Sequence, residues 1–160
     1  MSFDTADLCD RYGDRVRVID AGLRHFGGVN RFHGEVATVR VQSDFLLAKK
    51  ALSRPGRERV LVVDGGGARE FALLGDRLAD LGVSNGWAGV VVNGCIRDSA
   101  RIATMNLGVL ALGTCPRRPA MKGGGTEEAV ISIGGIAVGP GNWVYIDDDG
   151  MVVSPSPLAV

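Results

Sequence analysis

The sequence has few of the residues that build covalent or metal-bound frameworks. Its three cysteines, Cys9, Cys95 and Cys115, are widely spaced, which excludes a disulfide framework and argues against a structural zinc site. We expect them to be free thiols that pack as small apolar side chains. This cysteine usage is typical of a reducing compartment, and it predicts a cytoplasmic protein.

The sequence also lacks net charge and long hydrophobic runs. Its 18 basic and 18 acidic residues cancel, so no overall positive field is available for phosphate groups, and we expect no direct binding of nucleic acid. No apolar run approaches the roughly 20 residues that span a bilayer. The acidic N-terminal stretch MSFDTADLCDRYGD does not resemble a secretory signal. We therefore expect no membrane association.

Glycine, in contrast, is abundant. The 160 residues include 24 glycines, about twice the usual fraction of about 7%. Many of them are clustered, as in GGG at 65–67, GGG at 123–125 and GPG at 139–141. Because glycine permits left-handed backbone and close approach, we expect tight connections and one place where a ligand touches the main chain.

Hydrophobic patterning predicts one α/β domain over residues 1–160. Alternating or β-branched runs predict strands at 34–42, 58–64, 87–94 and 109–114. Helices are expected at 5–12 with Thr5 as N-cap, from Asp44 to about 52, at 75–85 and at 97–108. The helix from Gly75 is expected to carry an apolar face formed by Phe71, Leu74, Leu78 and Leu81.

After residue 125 the sequence consists of short apolar runs separated by turn residues. These runs predict hairpins, and Asp147-Asp148-Asp149-Gly150 reads as an acidic turn, because the ligand spacing of a calcium loop is missing. The whole pattern predicts a β-α-β-α-β centre within a β-sandwich or barrel-like core, with helices packed outside.

Two predicted strand ends carry the polar residues of interest. The connections DGGGAREFALLGD and NGCIRD follow neighbouring strands, and in a parallel β-α-β unit both emerge at the same edge of the sheet. This would bring Asp76 close to Arg97 and Asp98, and the helix from Gly75 would add free N–H groups.

This trio has a definite chemistry. Carboxylates bind Mg²⁺ or Mn²⁺, the arginine fork fits a carboxylate, and together they suit a small 2-oxo acid whose enolate a cation can stabilise. The alternative is that Arg97 and Asp98 form an ordinary surface pair and that Asp76 is a solvated helix residue.

The segment DGGG…GDRLADLGVSNGWAGVVVNGCIRD resembles the RraA-like family. This family contains the regulator of ribonuclease activity A and the class II 4-hydroxy-4-methyl-2-oxoglutarate aldolases. The aldolases share an Asp, twenty residues and then Arg-Asp, and the later segment GIAVGPGNWVYIDDDGMVV is similar too. The resemblance implies a swivelling-type β/β/α fold and a homotrimer that can stack into a hexamer.

The resemblance also implies roles for individual residues. Asp98 would be the direct metal ligand and Asp76 would hold a metal-bound water. Arg97 would bind the pyruvyl part of the substrate, and the backbone of Gly75, Asp76, Arg77 and Leu78 would cradle its carboxylate. The implied reaction is retro-aldol cleavage of 4-hydroxy-4-methyl-2-oxoglutarate to two pyruvates, with oxaloacetate decarboxylation as a second activity.

Other assignments stay open or are disfavoured at this stage. A Schiff-base aldolase needs a buried lysine, but the three lysines lie outside the motif. The general base is unassigned, because longer aldolases add an acidic group from a C-terminal extension that we do not expect here, and metal-bound water is the default. His25 and His33 are more typical of structural positions, and Trp87 of the core.

The alternative function is that of a non-enzymatic regulator that binds a ribonuclease E-type or helicase partner. The intact trio favours the lyase, since a binding module has no need of it. A methyltransferase label also occurs in this family. We reject it here, because no adenosylmethionine-type glycine-rich loop with a following acidic residue is present.

Overall fold

The computed structural model describes residues 2–120 and 122–160. Within these ranges the α-helices are α1 (Thr5–Tyr12), α2 (Leu46–Leu52), α3 (Asp76–Ser84) and α4 (Ser99–Ile102), with a 3-10 helix at Gly13–Arg15. The strands are β1 (Arg17–Ile19), β2 (Arg24–His25), β3 (Phe32–Arg40), β4 (Val60–Asp64), β5 (Ala72–Leu74), β6 (Gly89–Ile96), β7 (Gly108–Thr114), β8 (Thr126–Glu127), β9 (Ile131–Ile133), β10 (Ile136–Val138), β11 (Trp143–Asp147) and β12 (Gly150–Ser154).

Four parallel strands form the centre of the main sheet. β3, β4, β6 and β7 lie side by side in that order, and the short β5 adds to the far end of β6 in parallel. Antiparallel strands complete the sheet, with β11, β12 and β1 beyond β3, and with β2 beside β7. The result is a curled, half-barrel sheet with flanking helices, which confirms the predicted α/β class and the swivelling-type core.

The central strands are apolar on both faces, as expected of parallel strands covered on each side. In β4, Leu61 and Val63 pack with the helices α2, α3 and α4 on one face. Val60 and Val62 face the other side, where they pack with β9–β12. A smaller cluster holds α1 against β11 and β12 through Leu8 and Tyr145.

One aromatic ring determines the packing at the start of the central strands. Phe32 is 5% exposed, and a Cβ placed on either Gly89 or Gly108 would overlap its ring. The ring therefore occupies the space that side chains at these two strand positions would need. These glycines are required by close packing, since neither has a left-handed backbone.

Three local predictions were wrong. Asp4 is the N-cap residue of α1, while Thr5 is the first helical residue and its hydroxyl donates to Asp147. Leu74 belongs to β5, and Phe71 precedes it, so neither lies on α3. The helix predicted at 97–108 is only one turn, Ser99–Ile102, because the carbonyls of Met105 and Leu107 accept hydrogen bonds from the amides of Gly28 and Val29 and do not continue a helix.

Candidate active site

A cleft of about 440 Å³ opens at the carboxyl ends of the parallel strands. Its lining includes Asp76, Arg97 and Asp98, which confirms that the two predicted connections meet there. β5 pairs with the end of β6 and places Leu74 opposite Ile96. The next amide, that of Arg97, donates to the Leu74 carbonyl at 2.9 Å. This pairing brings the start of α3 to the end of β6.

Asp98 is the hub of these contacts. Its Oδ2 accepts a hydrogen bond from the Asp76 amide at 3.0 Å and lies 3.9 Å from Nε of Arg97. Its backbone has φ 57° and ψ 37°, a left-handed conformation that asparagine and aspartate adopt more readily than other non-glycine residues. The turn at Asp98 thus directs a carboxylate towards the N-terminus of α3.

Gly75 allows this close approach. A Cβ at this position would lie 2.9 Å from Oδ2 of Asp98 and 3.3 Å from Nε of Arg97. A side chain here would displace the carboxylate or the guanidinium. The glycine before α3 is therefore explained by its neighbours.

The N-terminus of α3 provides backbone donors. The N–H groups of the first turn of a helix have no acceptor within the helix, and they carry the positive end of its dipole. In α3 the Asp76 amide is already bonded to Asp98. The amides of Arg77 and Leu78, both at the cleft, are the ones left to bind an anion. The resemblance implies a carboxylate cradle formed by the backbone of residues 75–78, and within α3 only two of these residues have amides free to form it.

Arg101 is a site residue that the sequence analysis missed. From α4 it donates through Nη1 to Asp76 Oδ2 and through Nη2 to Asp80 Oδ2, each at 3.1 Å. The guanidinium thus bridges two carboxylates on successive turns of α3. A signal was present, because Asp76 and Asp80 are four apart on a predicted helix and so share a face.

The backbone amides of two glycine clusters form hydrogen bonds within the protein. In the 65–67 cluster, Gly65 and Gly67 donate to the Asn93 carbonyl at 3.0 and 3.1 Å, and Gly66 donates to Asp64 Oδ1 at 2.9 Å. This loop is a closed turn, and its amides are not available to a nucleotide. The main-chain contact expected for a glycine-rich stretch is offered by α3 instead.

The second cluster is bound to a buried carboxylate. Asp44, 2% exposed, accepts from the amides of Lys122 at 2.6 Å and Gly123 at 2.7 Å through Oδ2 and from Leu46 at 2.7 Å through Oδ1. Burial by itself raises the pKa of the Asp44 carboxyl, but the backbone hydrogen bonds outweigh burial and hold its pKa below the ordinary value. Asp44 therefore acts as an ionised anchor for this connection.

The residues present fit a cation that is bound mostly by water and substrate. No cluster of three or more His, Cys, Asp or Glu side chains with metal-binding spacing occurs within residues 2–120 and 122–160, so an all-protein cage is not formed there. Mg²⁺ is commonly held by one or two carboxylates, with water and substrate oxygens completing its shell. Asp98, with a side chain 38% exposed and one oxygen bonded to an amide, offers one such carboxylate.

The remaining candidates lie elsewhere. Nε2 of His25 is bonded to the Asp147 carbonyl at 2.7 Å. His33 stacks on Tyr145 with ring centroids 5.5 Å apart, and burial lowers its pKa. Trp87 is 5% exposed and packs in the core, as predicted.

The lysines and cysteines also lie outside the trio. Lys49, Lys50 and Lys122 are exposed, so none of them is the buried amine of a Schiff-base aldolase. All three cysteines are free. Only Cys95 is buried, and burial raises the pKa of its thiol. In the described parts of the chain, no helix has the length and apolar character needed to cross a membrane.

Comparisons with known proteins place the whole chain in one family. Residues 5–153 match the RraA-like family, described as Aldolase/RraA. A protein of Alkalilimnicola ehrlichii named "Putative 4-hydroxy-4-methyl-2-oxoglutarate aldolase" is 51% identical over 99% of this chain and 98% of its own length. A protein of Laribacter hongkongensis with the same name is 49% identical over 99% of both chains.

Two solved structures share the fold. One, from Geobacillus kaustophilus and described as S-adenosylmethionine: 2-dimethylmenaquinone methyltransferase, is 46% identical with a TM-score of 0.94, covering 98% of this chain and 97% of that one. The other, described as the RNA-processing inhibitor RraA from Thermus thermophilis, is 38% identical with a TM-score of 0.95, covering 99% and 96%. The chain belongs to the RraA-like family.

Proposed function

We propose that this protein is a divalent-metal-dependent lyase. Its main reaction is the cleavage of 4-hydroxy-4-methyl-2-oxoglutarate to two pyruvates, and oxaloacetate decarboxylation is a second activity of the same site. The observation that carries the proposal is the 3.0 Å bond between the Asp76 amide and Asp98 Oδ2. It joins a carboxylate, an arginine and the donors of a helix N-terminus in one cleft.

Each residue has a part in binding the substrate. Asp98 would hold Mg²⁺ or Mn²⁺, and the bound cation supplies Lewis-acid polarisation of the 2-oxo group. Arg97 presents its planar fork to the pyruvyl part. The amides of Arg77 and Leu78 bind the carboxylate next to the 2-oxo group, and the helix dipole favours that negative charge.

Asp76 is placed to orient a water molecule in the cleft. Its side chain is 29% exposed and is paired with Arg101, which orients the carboxylate next to Asp98. The Asp76 carboxylate would orient a water next to a cation held by Asp98. His25 and His33 lie elsewhere, and such a cation would lower the pKa of the water and so make it a base for the substrate hydroxyl.

Pyruvate release with and without metal tests the proposal. We expect turnover of both substrates with Mg²⁺ or Mn²⁺ and its loss in EDTA. Arg97→Ala and Asp98→Asn should each lower turnover by more than about 100-fold, beyond the 10- to 100-fold typical of residues behind a metal ligand. Asn suits position 98 because it tolerates the left-handed backbone.

Asp80→Asn is the matched control, because it removes one carboxylate from α3 outside the lining of the cleft. It should leave turnover within about threefold of the unmodified protein. Turnover that persists in EDTA or in Asp98→Asn, or no turnover above the metal-only background from folded protein, would overturn the proposal.

Assembly and location are further parts of the proposal. We infer a homotrimer, which can stack into a hexamer, in the cytoplasm. The support for the trimer is the family membership, and the support for the location is the three free cysteines, which are typical of a reducing compartment. Light scattering of the purified protein measures its mass and tests the trimer directly.

The second candidate is a regulator of RNA processing, favoured by the description of the Thermus structure. In that case the protein binds a ribonuclease E-type or helicase partner through its surface. Titration with a purified ribonuclease E would give saturable binding, and Asp98→Asn would bind as well as the unmodified protein. The methyltransferase description of the Geobacillus structure finds no support in the glycine-rich loop at 65–67, whose amides are internally bonded.

A further inference from the structure

The guanidinium of Arg118 adds a positive charge to the cleft, and the proposed reaction gives this side chain no role. It lies in the connection after β7, far in sequence from Arg97, and both residues line the same cleft. The side chain of Arg118 makes no ion pair within the described ranges 2–120 and 122–160. Arg101, in contrast, has two carboxylate partners.

The backbone holds Arg118 at the cleft. The Arg117 carbonyl accepts a hydrogen bond from the Ala72 amide at 2.7 Å, which ties the residue before Arg118 to the start of β5. The residue after it is Pro119, which is buried and restricts Arg118 to extended conformations. Farther along, Asp44 holds the amides of Lys122 and Gly123. Arg118 is therefore placed between two anchors.

The charges that line the cleft favour a substrate with two negative groups. Three arginines, Arg77, Arg97 and Arg118, line it together with Asp76 and Asp98. Asp76 is already paired with Arg101, and a divalent cation on Asp98 would add further positive charge. The cleft with a cation bound therefore has a net positive charge, and a dianionic substrate compensates more of it than a monoanionic one does.

We propose that Arg118 binds the second carboxylate of the substrate, so that the site selects dicarboxylic 2-oxo acids over monocarboxylic ones. This inference rests on the proposed function, in which Arg97 and the α3 amides take the 2-oxo acid end. A cleft of about 440 Å³ has the size of a small-molecule site. A guanidinium binds a carboxylate through two parallel hydrogen bonds, which discriminates strongly against a methyl group or hydrogen in the same place.

The test compares two substrates that share the bond to be cleaved. 4-Hydroxy-4-methyl-2-oxoglutarate carries the second carboxylate, and 4-hydroxy-2-oxopentanoate has hydrogen in its place. Arg118→Ala should lower kcat/KM for the first by roughly 10- to 100-fold, the range for hydrogen bonds to charged groups, mostly through KM. It should change kcat/KM for the second by less than about threefold. Arg118→Lys should recover part of the loss.

Arg117→Ala is the matched control. It removes an exposed arginine one residue away and keeps the carbonyl that binds Ala72, so both substrates should be unaffected. An equal loss for both substrates in Arg118→Ala, or no loss for either, would overturn the inference while leaving the lyase in place.

A binding measurement separates this inference from the reaction. Calorimetric titration with 2-oxoglutarate and with 2-oxopentanoate, in Mg²⁺, compares two acids of equal length that differ in the distal carboxylate. The unmodified protein should prefer 2-oxoglutarate by at least tenfold, and Arg118→Ala should abolish the preference. If turnover is absent and the preference is present, the lyase proposal fails and the Arg118 site stands. If the unmodified protein shows no preference, the inference fails.

Discussion

At the scale of single residues, Gly75 is a position where the site has no room for a side chain. Its missing side chain lets Asp98 and Arg97 approach the start of α3. We predict that Gly75→Ala lowers turnover by at least tenfold, because the added Cβ would lie 2.9 Å from Asp98 Oδ2 and must push it away from the Asp76 amide. A misplacement of about 1 Å can lower rates by about 100-fold.

Gly124→Ala is the control for this substitution. An added Cβ there meets no described atom within 4 Å, and its backbone is not left-handed. Both variants should unfold at nearly the same urea concentration as the unmodified protein. Turnover is then compared directly, and equal activity of Gly75→Ala and Gly124→Ala would contradict the role given to Gly75.

The trio could be placed together from sequence, but its partners could not. Asp76 comes just after β5, and Arg97 and Asp98 come just after β6. The ends of neighbouring parallel strands lie at the same edge of a sheet, so the topology brings these residues together. Arg101 binds Asp76 only because of how a one-turn helix lies against α3. Arg118 lies in a connection without any periodic pattern, so its position depends on the hydrogen bonds of its neighbours.

At the scale of elements, two ion pairs between α3 and α4 come from a single side chain. Arg101 joins α4 to two carboxylates of α3. Its side chain is 60% exposed, and exposed pairs of this kind contribute about 0–1 kcal/mol. We predict that Arg101→Ala changes the free energy of unfolding by less than about 1 kcal/mol but lowers turnover by roughly 10-fold or more, because Asp76 loses its orientation.

Asp80→Asn distinguishes this role from a general effect on α4. It removes the second partner of Arg101 and leaves the pair with Asp76 in place. Turnover close to that of the unmodified protein is expected, with a similar small change in urea unfolding. If Asp80→Asn lowers turnover as much as Arg101→Ala does, the contact matters for packing and Asp76 is not its target.

Elements with strong patterns were predictable, and short ones were not. The buried run of β4 and the alternation of β3 identified their strands. In FALLGDRL, however, Leu74 of a three-residue strand and Leu78 of the following helix are four residues apart, a spacing that imitates one helical face. Pairing of β5 with the end of β6 decides the matter, and this long-range contact is not encoded in local periodicity.

At the scale of the whole molecule, Asp147 connects the beginning of the chain to its last hairpin. It is 4% exposed and accepts hydrogen bonds from the Thr5 amide at 2.6 Å and the Thr5 hydroxyl at 2.7 Å. Burial by itself raises the pKa of Asp147, but these bonds and those from the following turn hold its pKa below the ordinary 3.8.

This lowered pKa predicts acid sensitivity with a defined sign. The unfolded chain takes up a proton near pH 3.8, and the folded state only at lower pH. The stabilisation is therefore complete above that value and is lost as the pH falls through the folded pKa. We predict that Asp147→Asn destabilises the protein by about 1–3 kcal/mol at pH 7, and that this difference shrinks between pH 4 and pH 2.

Urea unfolding at several pH values measures the effect, with Asp149→Asn as the control. Asp149 is exposed in the same turn, and its substitution should leave both the stability and its pH dependence unchanged. A difference between Asp147→Asn and the unmodified protein that stays constant from pH 7 to pH 2 would contradict the ionised contact.

The packing of Phe32 against Gly89 and Gly108 has a consequence for how this protein can change over evolutionary time. A larger residue at either glycine position is excluded while the ring is present, yet shrinking the ring first opens a cavity, at a cost of about 3–5 kcal/mol for a change to alanine. Such a loss is a large fraction of the roughly 5–15 kcal/mol by which domains are stable. The three positions should therefore be inherited as a unit. Substitutions at the ring and at a glycine that are neutral together should each be harmful alone, whichever of them occurs first.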